Sequence, residues 1–184
     1  MFYVLDVSDD YPEDITVIYD RTRSPRVKYF YEGDSRPLAG ETAFFSVESE
    51  GDPFVFDYLP GGPGLFSIKF IDCVKALCDD IDIIKSEINH NGKIIKSHSA
   101  ILIKNSISCI DMEKSNTYKM LPSDPTSPTV ISNRVFKDSE LDGVHIARSS
   151  EDPYGTIVIS KELIVAIKKT NPKGITYKPN GKYE

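Results

Sequence analysis

The sequence is easier to bound by what it lacks. Tryptophan is absent from its 184 residues, which excludes nothing by itself. Cysteine is scarce and odd in number: Cys73, Cys78 and Cys109 have no metal-ligand spacing, and an odd count does not make a disulfide framework. They read as reduced core cysteines of a cytosolic protein. No run approaches the roughly 18 apolar residues of a membrane-spanning helix. The start, Met1-Phe2-Tyr3-Val4-Leu5-Asp6, lacks the basic segment and long apolar run of a signal peptide. These absences predict a cytoplasmic protein that stays in the compartment where it is made. Positive charge is also in deficit, with 22 Lys and Arg against 28 Asp and Glu, a formal net charge of −6. Neutralising phosphates needs clustered Lys and Arg, so this balance argues against direct nucleic-acid binding. It suits solubility, or steering toward a basic partner.

What is present describes an ordinary globular chain. Hydrophobic residues make up 40% and charged residues 27%, too apolar for disorder. Twelve prolines and eleven glycines promise many turns. Phe2 to Val7 reads as a strand, followed by the acidic loop Ser8 to Asp14. Ile15, Val17 and Tyr19 alternate, as do Val27, Tyr29 and Tyr31, which fits two strands around a basic loop. Phe44 to Val47 and Phe54 to Tyr58 are further short strands. Ala100 to Ile103 and Ile107 to Ile110 form one long central strand, or two broken near Asn105. The Ser-, Thr- and Pro-rich stretch from Ser115 to Pro128 reads as a loop. Val130 to Phe136 and Val144 to Ala147 read as a strand pair joined by an acidic connection.

One local unit occurs twice. Leu65-Phe66 leads into Ser67, which suits a helix N-cap, and Phe70, Ile71, Val74, Leu77 and Cys78 then mark one apolar helix face. Ile81, Ile83 and Ile84 open the next strand. The second copy runs from Thr156-Ile157-Val158-Ile159 through Ser160, Leu163, Ile164 and Ile167 to Asn171-Pro172-Lys173-Gly174, with Gly174 as a left-handed cap, and returns at Ile175-Thr176-Tyr177. A shift of 93 residues places Ser67 on Ser160, Phe70 on Leu163, Ile71 on Ile164 and Val74 on Ile167. The expected fold is α+β: a mixed or mostly antiparallel sheet with two principal helices, about 67–78 and 160–170, in a repeated strand–helix–strand unit. The chain reads as a single domain, 1–184, with a strand-rich subregion over 1–55 and a core over 56–179.

Chemistry-bearing motifs are hard to find. Leu59-Pro60-Gly61-Gly62-Pro63-Gly64 resembles a phosphate cradle only in composition. It has neither the dinucleotide glycine spacing nor a following Gly-Lys-Ser/Thr, and its prolines remove amide donors. His90, His98 and His145 have no partner at metal-ligand helical spacing. Ser67 and Ser160 lie between strand and helix without flanking glycines, so they read as caps rather than nucleophiles. Asp111 and Glu113 share a face but suit a strand exit better than acid–base work. Six of the ten tyrosines, Tyr3, Tyr11, Tyr19, Tyr29, Tyr31 and Tyr58, precede residue 60. They suit a protein interface or core packing equally. No catalytic, cofactor or metal site is expected.

Three stretches carry a family resemblance: Ser99 to Ser115, an apolar strand ending in Asp111; Gly143-Val-His-Ile-Ala-Arg148; and Ile157-Val-Ile-Ser160 through Gly174-Ile-Thr-Tyr-Lys-Pro179. The segment from Asp57 to Ile84 adds an upstream strand–serine–helix. In this order they resemble the bacterial immunity-protein family encoded beside polymorphic toxins, over about residues 55–179. His145 and Ala147 depart from the apolar and aromatic residues usual in the second stretch. The resemblance implies no catalytic residues. It implies a non-enzymatic protein that binds and neutralises a cognate toxin domain, delivered by a contact-dependent or type VI-like secretion route, by occluding its active site. On that reading the acidic loops at Asp9, Asp10, Glu13 and Asp14, and at Asp138, Glu140 and Asp142, face a basic toxin cleft. No cofactor, nucleic acid or membrane partner is expected, and the free protein is a monomer or homodimer. The alternatives are a small enzyme with a dispersed site and a homodimeric scaffold.

Overall fold

In a computed structural model the chain is α+β, as its periodicities predict. The structure describes residues 2–127, 129–137, 141 and 143–179. In chain order the elements are β1 (Tyr3–Val7), β2 (Thr16–Tyr19), α1 (Lys28–Glu32), β3 (Ala43–Glu48), β4 (Tyr58–Leu59), β5 (Leu65–Ser67), α2 (Ile68–Lys75), β6 (Ile81–Ile84), β7 (Ser86–His90), β8 (Lys93–Ile95), β9 (His98–Ile103), β10 (Ser106–Ile107), β11 (Asn116–Lys119), β12 (Thr129–Asn133), β13 (Ile146–Ser149), β14 (Ile157–Ile159), α3 (Lys161–Lys168) and β15 (Ile175–Pro179). They form sheets ordered β10-β13-β14-β1-β15, β4-β5-β9-β6 and β2-β3-β7-β8, plus the separate pair β11-β12. Only β3–β7 and β10–β13 run parallel among these pairings. Among the described residues no helix is long and apolar enough to cross a membrane.

The two principal helices form for the reason the sequence suggests. The hydroxyl oxygen of Ser67 accepts the Phe70 amide at 3.1 Å, and that of Ser160 accepts the Leu163 amide at 3.1 Å. Each satisfies one of the amides that a helix start leaves without a partner. Both helices have only eight residues and stop short of their predicted ends. Helices this short are marginal alone, so packing holds them. Phe70, Ile71 and Val74 face Leu163, Ile164 and Ile167 across one shared core. Fully burying side chains of this size contributes about 1.5–3 kcal/mol each. The residue that turns left-handed directly after α3 is Asn171, at φ +51°, not Gly174. Gly174 is also left-handed but stands at the entry to β15, where a Cβ would come within 2.6 Å of the Phe56 ring.

The repeat extends well beyond the helices. In the first unit β5 and β6 flank β9, both antiparallel to it; in the second, β14 and β15 flank β1 in the same way. The registers correspond: Phe66 pairs with Ser99 as Ile159 pairs with Tyr3, and Ile81 pairs with Ile103 as Ile175 pairs with Val7. A hairpin strand completes each unit, β4 beside β5 and β13 beside β14. Loop bonds repeat too: Lys104 donates its amide to the Asp80 carbonyl, and Ser8 donates its own to the Gly174 carbonyl. The central strand follows the first helix in sequence but precedes the second, so the two copies are permuted. Strands from residues 1–55 therefore pair with strands beyond 56, with β1 central in the second unit and β3 beside β7.

Four segments differ from their sequence reading. Phe54 to Tyr58, expected as a strand, opens with a 3-10 turn at Pro53–Val55, and the strand starts only at Tyr58. Residues 28–32 are helix α1, not a strand: the fully buried residue is Phe30, between the alternating tyrosines, and it meets the Tyr19 ring edge-on at 6.2 Å. Residues 116–119, expected as loop, pair with β12. As a result β12 does not pair with β13; Phe136 bridges Ile110, and β13 lies between β10 and β14.

Candidate functional site

The acidic loop after β1 is pinned at one residue. Tyr11 donates its amide to the Ser8 carbonyl at 3.0 Å and packs its ring against Phe56 at 5.4 Å. Burial pushes its hydroxyl up to about 12, helped by the nearby Tyr58 and Asp14. With Tyr11 turned inward, Asp9, Asp10, Glu13 and Asp14 all stand exposed. Asp14 then reaches across to a second segment. Its carboxylate accepts the Glu50 amide at 2.9 Å and the Ser49 hydroxyl at 3.1 Å. The Glu50 amide is the main reason its carboxyl sits below the ordinary range. The bond draws the loop after β3 alongside, bringing exposed Glu48, Glu50 and Asp52 to the same edge.

Two segments, 9–14 and 48–52, thus contribute seven carboxylates and contain no Lys or Arg. Gathered like charges repel one another, so a cationic surface is complementary to this edge. The sequence reading missed Glu48, Glu50 and Asp52, although Glu48-Ser49-Glu50-Gly51-Asp52 is itself an acidic turn signal. Asp138, Glu140 and Asp142 lie outside the described residues.

The serines and histidines come together in an informative way. His145 Nδ1 lies 2.9 Å from Ser160 Oγ, the spacing of a nucleophile and its base. The equivalent pair in the first unit explains it. There Ser67 donates to Asp57 Oδ1 at 2.5 Å. The backbone agrees, because Ser67 donates its amide to the Asp57 carbonyl and Ser160 to the His145 carbonyl. One position therefore holds the hydroxyl of each capping serine, filled by a carboxylate in one copy and an imidazole in the other. Ser160 is buried, and its oxygen already accepts the Leu163 amide. This is a cap lock, with the attacking oxygen out of reach of substrate.

The remaining candidates serve the fold. His98 is buried, with Nε2 at 2.7 Å from the Phe56 carbonyl, and burial lowers its pKa. Asp111 accepts the Glu113 and Lys114 amides at 3.2 Å each, closing a turn rather than facing a partner carboxylate. Tyr19 packs on Phe30 and Phe45 and Tyr58 on Phe66, so these rings pack internally, while Tyr31 lies against the exposed Tyr154. The three cysteines are free. Among the described residues no group of three or more His, Cys, Asp or Glu could hold a metal ion. A second exposed feature is the β11–β12 arm, which presents Tyr118, Met120 and Leu121 at 56–59% exposure. Met120-Leu121 beside a turn was its only sequence signal. No family model and no curated protein matches this chain.

Proposed function

We propose that this chain is an immunity protein: it binds a cognate bacterial toxin in the cytoplasm of the producing cell and neutralises it by occluding the active site, without catalysis of its own. The observation that carries the reading is the acidic edge, where Asp14 joins residues 9–14 to 48–52, two segments without Lys or Arg. Such an edge suits the basic cleft of a toxin acting on nucleic acid or nucleotides. The resemblance over residues 55–179 supports the same assignment, and the exposed apolar tip of the β11–β12 arm supports a protein as the partner.

The test is co-expression with the product of the adjacent gene in a sensitive strain. Restored growth and co-purification are expected. A toxic product that this chain neither neutralises nor retains overturns the proposal. Reversing Asp9, Asp10 and Asp14 to Lys slows association at low salt by about tenfold. An unchanged association rate removes this edge from the interface.

A further inference from the structure

Arg148 is 3% exposed, yet among the described residues no carboxylate forms an ion pair with it. Its Nη1 donates to the Pro153 carbonyl at 2.9 Å. Its Nη2 reaches the Pro63 carbonyl only at 3.4 Å, the outer limit of a hydrogen bond. Its Nε has no hydrogen-bond partner among the described residues. Buried charges are ordinarily paired, because desolvating an isolated one is costly. The scaffold does not require this cation either. By the register of the two hairpins, β13 against β14 and β4 against β5, the position equivalent to Arg148 in the first unit is Pro60.

Tyr31 lies over the guanidinium at 4.8 Å, and the exposed Tyr154 packs on Tyr31 at 4.3 Å. Beside it lies a cavity of about 340 Å³, within the range of small-molecule sites, lined by Tyr58, Gly61, Gly62, Tyr154 and Ile157 but not by Arg148 itself. Ile157 is the cross-strand partner of Arg148, while Gly62 and Tyr154 adjoin its two carbonyl partners. Gly61 and Gly62 are required there: both have positive φ, and a Cβ on either would come within 2.8 Å of Val17 or Tyr19. Pressed onto β2, the loop turns the Gly62 and Pro63 carbonyls to the Tyr31 hydroxyl and Arg148. A second cation stands near. Arg21 is exposed, has no ion pair among the described residues, and acts on the Tyr31 hydroxyl. Asp6 also lines the cavity, with one oxygen accepting the Val7 amide at 2.8 Å.

We infer that Arg148 is the anion-receiving group of a small-ligand site: a phosphate or carboxylate of the ligand takes the free Nε and the weakly held Nη2 as a bidentate pair, and Tyr154 shifts to admit it. The planar guanidinium fork matches either oxyanion. The inference stands whether or not the immunity reading holds.

The test follows the Arg148 Nε–H resonance of the intact chain, assigned by its loss in Arg148→Met. Inorganic phosphate and acetate are titrated at constant ionic strength against chloride. A saturable shift with phosphate or acetate, absent with chloride, is expected, and the stronger of the two names the ligand's headgroup. That anion raises the unfolding temperature of the native chain and not of Arg148→Met. Arg148→Lys keeps the charge without the fork and binds about tenfold more weakly, which serves if Arg148→Met fails to fold. A response identical to that of chloride, or one retained in Arg148→Met, overturns the assignment and leaves Arg148 a purely structural cation.

Discussion

The two copies of the strand–helix–strand unit use the same backbone and differ in what surrounds it. In the first, the capping serine is fixed by Asp57, which is 3% exposed and also accepts the Lys173 amide at 2.8 Å and pairs with Lys69 at 3.1 Å. In the second it is fixed by half-buried His145, whose own amide is held by Asp80 at 2.8 Å. The hairpin loops differ as well. Glycines pressed on β2 close the first, whereas carboxylates close the second. Duplicated backbone geometry therefore does not imply duplicated energetics. Burial of the polar partner decides how much each equivalent contact contributes.

The largest effect expected is one the copies share. Phe70 and Leu163 occupy equivalent positions in a single core. Phe70→Ala destabilises by about 4 kcal/mol and Leu163→Ala by about 3 kcal/mol in denaturant unfolding. A single transition is expected in both variants. If either variant unfolds in two steps, or Leu163→Ala costs less than about 1 kcal/mol, the copies do not share a core as described.

The second effect belongs to the carboxylate-closed hairpin alone. Burial would raise the Glu151 pKa, but hydrogen bonds from the Ser108 and Ser149 hydroxyls and the Cys109 amide outweigh it and hold it at about 2, against an ordinary 4.5. The folded state therefore favours the carboxylate. Its stabilisation is complete above pH 4.5 and is lost as pH falls from there toward 2. Glu151→Gln makes stability flatter across that window. A pH profile unchanged by the substitution contradicts this account.

The duplication was partly legible. Ser67 and Ser160 with their apolar triplets revealed the helices, because capping and 3.6-residue periodicity are local signals. The permuted central strand was not legible: residues 3–7 and 98–103 carry the same role at opposite ends of their units, and only long-range pairing reveals it. Alternation misread residues 27–31 because tertiary packing chose Phe30 as the buried residue. The Ser/Thr-rich β11 offers little strand propensity, and pairing with β12 overrides it. At the candidate site the first acidic segment was visible, while its junction with residues 48–52 depends on a contact between Asp14 and Glu50, 36 positions apart.

The smallest effects test the cap locks directly. Asp57→Ala strips acceptors from the Ser67 hydroxyl and the Lys173 amide, both in positions water reaches poorly, and costs about 2 kcal/mol. His145→Ala removes the equivalent partner from Ser160, but from a half-buried site where water replaces it, and costs about 0.5 kcal/mol. The Ser160–Leu163 cap survives that substitution because the serine oxygen still accepts the amide. Ser160→Ala should therefore cost more than His145→Ala, about 1 kcal/mol. Equal costs for Asp57→Ala and His145→Ala would mean that burial does not separate the two copies. A His145→Ala cost above that of Ser160→Ala would mean that the imidazole acts through something other than the cap.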